Sequence, residues 1–228
     1  MNNEVYFTSL DEYERALKEL RTQGIAIATG IIGENLTKDD LFFCASVDRC
    51  LRLIDGVIPM LKERNLTCAG ALLRLQMDNC MRTYAAFIAA DKEKVIDCII
   101  SGDPINKEKD TAGKKMTDGH LKDEISKIDS KFAQVYDQAS GFIHLSSKAF
   151  YQTVAEIGEG NKFAFQIGCP LPEKRNEPLL ECADAFVHFV KLHYNMLDAV
   201  VESKKRFDAE YQDHEEISKK GAENAKEI

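Results

Sequence analysis

The chain has 228 residues, of which 44% are hydrophobic and 30% charged, a balance typical of one large globular domain or two small ones. Five prolines, 13 glycines and no tryptophan, with Leu, Ala, Lys and Glu recurring every three or four positions, favour helices over a β-sandwich or barrel. A formal net charge of −8 argues against wholesale electrostatic capture of nucleic acid or of an anionic membrane surface.

Capping signals predict where the first two helices begin. Ser9 with Glu12 opens a helix that we expect to end near Gly24. Thr37 with Asp40 opens a long amphipathic helix, which Pro59 should kink. The apolar run 25–33 fits either a short strand or a helical turn, and the alternating run 162–168 is its candidate partner in one short β pair.

Helical patterns continue along the rest of the chain, at 66–90, from Asp91, and from about Asp118 to Val154 as one helix or a broken pair. The polar segment 103–120 is predicted as a mobile surface loop. A final helix follows residue 178, and its apolar face ends near Phe207. The predicted fold is therefore all-α: an antiparallel bundle of about five long helices in a single domain over 1–207, followed by a charged C-terminal tail over 208–228.

The seven cysteines indicate reduced core thiols, because most lie in apolar runs and the chain begins without the pattern of a signal peptide. No apolar run reaches the length of a membrane span. We therefore expect a cytoplasmic protein that makes no contact with membranes.

Polar side chains on the predicted fourth helix form the first candidate site. On a continuous helix, five of them would share one stripe about 80° wide: Tyr136, Ser140, His144, Ser147 and Tyr151. A break near Gly141 would remove this stripe.

The third helix carries charges among apolar neighbours, namely Arg74, Asp78 and Arg82. Buried charges are tolerated only when paired, and Arg74 and Asp78 have the i, i+4 spacing of an ion pair. We hypothesise that the two polar faces meet, so that Arg74, Asp78 and His144 form one buried polar cluster. The surrounding members would be Arg82, Tyr136, Ser140, Ser147 and Tyr151.

The sequences AGALLRLQMDNCMRTYAAF (69–87) and YDQASGFIHLSS (136–147) resemble the central helices of an uncharacterised prokaryotic family placed with the HEPN-like helical proteins. In that family an LLR helix, with an acidic residue four positions on, precedes a helix carrying Tyr, Ser and then His. The resemblance covers roughly residues 40–155. It implies an all-α antiparallel bundle, homodimerisation, and kinship with metal-independent endoribonucleases of toxin and phage-defence systems.

The chain departs from the nuclease pattern of that class, in which four to six residues separate an Arg from the His. At these separations before His144 the chain has Ala139, Gln138 and Asp137, so the arginine is missing. A metal-free ribonuclease needs a base for the ribose 2′-hydroxyl and a cation for the phosphate charge. His144 could supply the base, and Arg74 or Arg82 the cation.

Two functions remain open, and whether the protein is an enzyme is undecided. The favoured one is a homodimeric helical interaction or ligand-binding module, in which the Arg74, Asp78 and His144 cluster is structural or contacts a small polar ligand. The alternative is a divergent endoribonuclease in which the same three residues cut RNA. No cofactor and no metal are predicted, because His188 and His193 lie on different sides of the last helix and no cysteine pair has zinc-site spacing.

Overall fold

The computed structural model describes residues 7–144, 154–158, 162–165 and 167–224. The long helices in this part of the chain are α1 (Leu10–Ile32), α2 (Lys38–Lys62), α3 (Leu66–Ile88) and α7 (Glu177–Asn224). The shorter ones are α4 (Lys92–Ser101), α5 (Asp118–Ile125) and α6 (Phe132–Ile143). One antiparallel pair joins β1 (Val154–Gly158) to β2 (Lys162–Phe165). The prediction of an all-α helical bundle is confirmed.

Local capping explains where the helices begin. Ser9 and Thr37 each form the predicted capping box. The hydroxyl of the capping residue accepts from the backbone N–H of the third helical residue, and the acidic side chain of that residue accepts from the backbone N–H of the capping residue. The helices α3, α4 and α5 are capped by Asn65, Asp91 and Thr117. Each side chain accepts from the backbone N–H of the third residue of its own helix. Each contact satisfies a backbone donor that the helix itself leaves unpaired.

The predicted end of α1 at Gly24 is wrong, because the helix continues to Ile32 and ends at Gly33, whose φ is 54°. Gly24 instead allows close packing: a Cβ at this position would lie 2.3 Å from the Tyr194 hydroxyl oxygen. The run 25–32 is therefore helical, and the predicted strand within 162–168 pairs with β1 rather than with that run.

Helix α2 packs antiparallel to α1 and to α3, whereas α7 runs parallel to α1 and α3. The order of contacts shows this on α1, where Tyr13 contacts Asp184 and Gly30 lies against Val201. On α3, Cys80 contacts the carbonyl of Phe189, and Thr83 contacts His193. Most of the core lies among α1, α2, α3 and α7, and α6 packs on α3 with its buried Phe132 against Phe189 of α7.

The segment 103–117 is not the mobile loop that its composition predicts. Thr111 N–H donates to the carbonyl of Ile88 at 2.9 Å, and Ala90 N–H donates to that of Lys109 at 3.0 Å. Ile105 and Met116 are buried. These contacts tie the segment to the end of α3. Of the two forms predicted from about Asp118 to Val154, one helix or a broken pair, the structure has the broken pair, α5 and α6.

The last helix does not end at Phe207 but continues to Asn224. Just beyond the predicted boundary, Asp208 accepts hydrogen bonds from the backbone of Glu34 and the side chain of Asn35. The chain directly after residue 207 is thus anchored to the turn between α1 and α2. No helix in the described ranges combines the length and the apolar character that crossing a bilayer would require.

Candidate functional site

A cleft of about 640 Å³ lies between the N-terminal half of α3, helix α6 and the first turns of α7. Its apolar lining includes Leu66, Leu73, Val135, Phe142 and Phe189. Its polar lining includes Lys131, Gln134, Gln138, Arg175, Glu181 and His188. This volume and this mixture of apolar walls with a few polar groups are typical of small-molecule sites.

Small residues shape the cleft. Ala139 on α6 and Ala185 on α7 both line it, where larger side chains would occupy the space. Gly70 sets the position of one wall, because a Cβ there would lie 2.4 Å from Cδ2 of Phe142. Helix α6 can therefore approach α3 closely and present Phe142 to the cleft.

His188 is held at the cleft wall by Asp129, which lies in the turn between α5 and α6. Its Nε2 is 2.5 Å from Oδ2 of Asp129, while Oδ1 of the same carboxylate accepts from the backbone N–H of Lys131 at 3.0 Å. Burial raises the pKa of Asp129, but the hydrogen bond and charge of His188, with help from Lys131, lower it overall. The carboxylate is thus ionised and fixes Nε2 as the donor.

The second ring nitrogen of His188, Nδ1, has no hydrogen-bond partner within the described ranges. The side chain is 33% exposed and lines the cleft. With Nε2–H committed to Asp129, a neutral imidazole offers a lone pair at Nδ1. This atom can accept a hydrogen bond or a proton from a bound molecule.

The predicted ion pair between Arg74 and Asp78 is wrong. The Arg74 guanidinium stacks on the ring of Tyr136, with Cζ 3.8 Å from the ring centre, and donates to the Tyr136 hydroxyl. Asp78 pairs instead with Arg82 at 3.3 Å and lies 3.9 Å from Arg49. The reason is that α6 brings Tyr136 onto this face, which gives Arg74 a partner outside its own helix.

His144 is exposed and follows the last residue of α6, in extended backbone with φ −106° and ψ 151°. Within the described ranges it forms no hydrogen bond or ion pair with Arg74 or Asp78. The predicted buried cluster is therefore not formed, because the helix ends before the stripe reaches His144. Ser140 lies on α6 as predicted and donates to the carbonyl of Tyr136 at 2.8 Å. Ser147 and Tyr151 fall outside the described residues.

Buried polar residues do connect helices, but elsewhere in the bundle and with other residues. His193 on α7 places Nε2 at 3.2 Å from the hydroxyl oxygens of both Ser46 on α2 and Thr83 on α3. Asn79 donates to the carbonyl of Ser46 at 2.9 Å. Burial lowers the pKa of His193 to about 3, so the imidazole is neutral. This enclosed layer can fix helix register, but it has no access to a ligand.

A second cavity, of about 720 Å³, lies between the start of α2, the end of α3 and the middle of α7. Its buried polar groups are already paired, since Lys204 Nζ is 2.5 Å from Asp40 Oδ2 and also donates to the carbonyl of Asn35. The first cleft is the better candidate site because Nδ1 of His188 lies there without a hydrogen-bond partner among the described residues.

The pairing of His188 with Asp129 was missed in the sequence because 59 positions separate the two residues. The only local signal is a polar turn, Asp129-Ser130-Lys131, directly before an apolar helical run. Comparisons with protein-family models, with curated proteins and with solved structures find no match for this chain.

Proposed function

We propose that the protein is a helical ligand-binding module whose cleft between α3, α6 and α7 receives a small molecule. The observation that carries this proposal is the fixed imidazole of His188, which presents one ring nitrogen to a largely apolar cleft. A largely apolar cavity with a few placed polar groups is typical of a site that binds and orients a small ligand.

The lining indicates the chemistry of the ligand. Its apolar part would pack against Leu73, Val135 and Phe189. Its polar part would carry an N–H or O–H that donates to Nδ1 of His188. Acidic and basic residues both line the rim, so the net charge of the cleft does not select an anion or a cation.

The fluorescent probe 8-anilinonaphthalene-1-sulfonate tests this function, because it has aromatic rings and an N–H donor. We expect saturable binding at one site, and Ala185→Trp should weaken it at least tenfold by filling the cleft. The matched control is Ala26→Trp on the exposed face of α1, which should bind as the wild type does. Equal binding by Ala185→Trp, with its helicity retained, would exclude the cleft as the site.

Kinship with the HEPN-like proteins and a homodimeric state belong to the same proposal and depend on the resemblance of 69–87 and 136–147. The antiparallel packing of α6 on α3 supports the resemblance, since Gly70 contacts Phe142 and Arg74 contacts Tyr136. Light scattering on the purified protein should give about twice the chain mass of 25.7 kDa. A monomer at micromolar concentration would remove the dimer from the proposal.

The exposure of His144 favours keeping the endoribonuclease as the second candidate, because a base must reach the ribose 2′-hydroxyl. In such a reaction the 2′-oxygen attacks phosphorus, the 5′-oxygen leaves, and a 2′,3′-cyclic phosphate forms. The wild type and His144→Ala should be compared on single-stranded RNA. Loss of cleavage in the variant, by 100-fold or more, would favour the enzyme, and equal background in both would remove it.

A further inference from the structure

Three potential metal ligands converge where the segment 103–117 meets α5. Nε2 of His120 is 2.7 Å from Oδ2 of Asp110, and Nδ1 is 3.8 Å from Oε1 of Glu124. One ligand atom from each residue lies within 4.8 Å of the others. The three side chains are only 6–17% exposed. An imidazole and two carboxylates are thus held together away from bulk water.

Each carboxylate has one oxygen anchored and the other turned towards His120. Asp110 Oδ1 accepts from the backbone N–H groups of Ala112 and Lys114, at 3.0 and 2.8 Å. Glu124 Oε2 pairs with Lys127 at 2.6 Å. Outer contacts of this kind orient the ligands of metal sites, because they leave only the coordinating atoms free to turn towards an ion.

Both carboxylates are ionised at neutral pH. Burial raises the pKa of Asp110, but the hydrogen bonds from His120 and from the backbone lower it overall. The hydrogen bond from Lys127 is the main cause that lowers the pKa of Glu124. The cluster can therefore offer two negative charges to a dication.

We propose that Asp110, His120 and Glu124 bind a divalent transition-metal ion of the Zn²⁺ type. One imidazole nitrogen and two carboxylate oxygens form a donor set that suits Zn²⁺ better than Ca²⁺ or Mg²⁺, which prefer six or more oxygen ligands. On binding, the ion replaces the hydrogen bond between His120 and Asp110, and any proton shared between the two is released to solvent.

This site is separate from the α3–α6–α7 cleft, and an ion bound there would stabilise the fold. It joins the segment 103–117, which contacts the end of α3, to helix α5. The sequence prediction of no metal rested on cysteine spacing and on the two histidines of the last helix. His120 and Glu124, at i and i+4, share one helical face, and the third ligand comes from the preceding loop.

Calorimetric titration of the metal-stripped full-length protein with Zn²⁺ at neutral pH tests the proposal. We expect one ion per chain at micromolar affinity or tighter, and at least tenfold weaker binding by His120→Ala. Glu124→Gln provides a second variant of nearly unchanged shape if His120→Ala fails to fold. Excess Mg²⁺ should not displace the bound Zn²⁺.

Two controls separate this site from other zinc ligands. His188→Ala should bind Zn²⁺ normally, because His188 contacts one carboxylate and belongs to no three-ligand group among the described residues. A Cys68→Ser, Cys169→Ser double variant should also bind normally, since it removes the two exposed thiols. Absence of stoichiometric binding, or binding unchanged in both His120→Ala and Glu124→Gln, would overturn the proposal whatever the result for the cleft.

Discussion

Two histidines lie five positions apart on α7, and they differ in whether solvent can reach the imidazole. His188 is one-third exposed and lines the cleft, whereas His193 is fully enclosed between three helices. The sequence shows both on an apolar helix, and no local pattern distinguishes them. Side chains of this kind acquire their roles only from residues that other elements bring to them, here Asp129, Ser46 and Thr83.

Contacts with other helices also explain why the predicted polar cluster does not form. The i, i+4 spacing is a correct local rule, and Asp78 does pair in this way, with Arg82 at 3.3 Å. Arg74 instead contacts Tyr136 from α6, and Asp78 also lies 3.9 Å from Arg49 of α2. Local spacing can therefore give the pair within α3, but not the contacts that other helices supply.

Burial of neutral His193 makes stability depend on pH. Its folded-state pKa of about 3 lies below the usual value of about 6.5, so between these values the unfolded chain binds a proton that the folded chain excludes. The free energy of unfolding should therefore fall as the pH is lowered, by about 2.5 kcal/mol from this residue between pH 7 and pH 4.5.

Urea denaturation at several pH values, with wild type and His193→Gln, measures this contribution. Carboxylates such as Asp129 add the same slope to both proteins, so the difference between the two slopes reports His193 alone. The variant should show the shallower slope. Parallel pH profiles would mean that His193 is not the enclosed neutral group described here.

Lys204 links α7 to the start of α2 through a buried ion pair. Its side chain is 3% exposed and its ammonium contacts the Asp40 carboxylate, so Lys204→Met would leave a buried charge without its partner. We expect the free energy of unfolding to fall by about 3 kcal/mol. Lys205→Met is the matched control, because Lys205 is exposed and its ion pair in the described part of the chain is with exposed Glu202. Similar midpoints for the two variants in urea would contradict this role.

At the level of helices and strands, the starts of α1 and α2 were predictable, whereas the ends of α1 and α7 were not. A capping box uses residues three positions apart, so Ser9 and Thr37 could be recognised locally. Gly24 looked like a helix end because glycine is common there, but its role depends on Tyr194, 170 positions away. Segment 103–117 looked mobile for a similar reason, since its polar composition hides its contacts with α3.

Gly70 should be essential for the packing of α6 on α3, and therefore for one wall of the cleft. In Gly70→Ala the new methyl group would overlap the ring of Phe142, and we expect a loss of about 1–3 kcal/mol in stability. Gly56→Ala on α2 is the matched control, because its nearest neighbour, Leu72, would be 3.4 Å away. That control should gain about 0.5–1 kcal/mol from helix propensity. Thermal unfolding compares them, and equal stability of the two variants would contradict the close approach.

At the scale of the whole molecule, the parallel course of α7 beside α1 and α3 creates the cleft. The walls come from residues near positions 70, 140 and 185, which are far apart in the sequence and lie together because of the packing of α3, α6 and α7. The all-α class could be predicted, because it follows from periodicity summed over the chain. The cleft could not, since it depends on where α6 and the start of α7 lie relative to α3.

The most direct test of the cleft as the ligand site is methyl NMR of the full chain titrated with 8-anilinonaphthalene-1-sulfonate. Ligand binding in the cleft predicts chemical-shift changes centred on Leu66, Leu73 and Val135, together with the imidazole of His188. The second cavity provides the internal comparison through Ala86 and Val200, which should not shift. Shifts confined to Ala86 and Val200, with Leu73 and His188 unmoved at saturation, would contradict the proposed site.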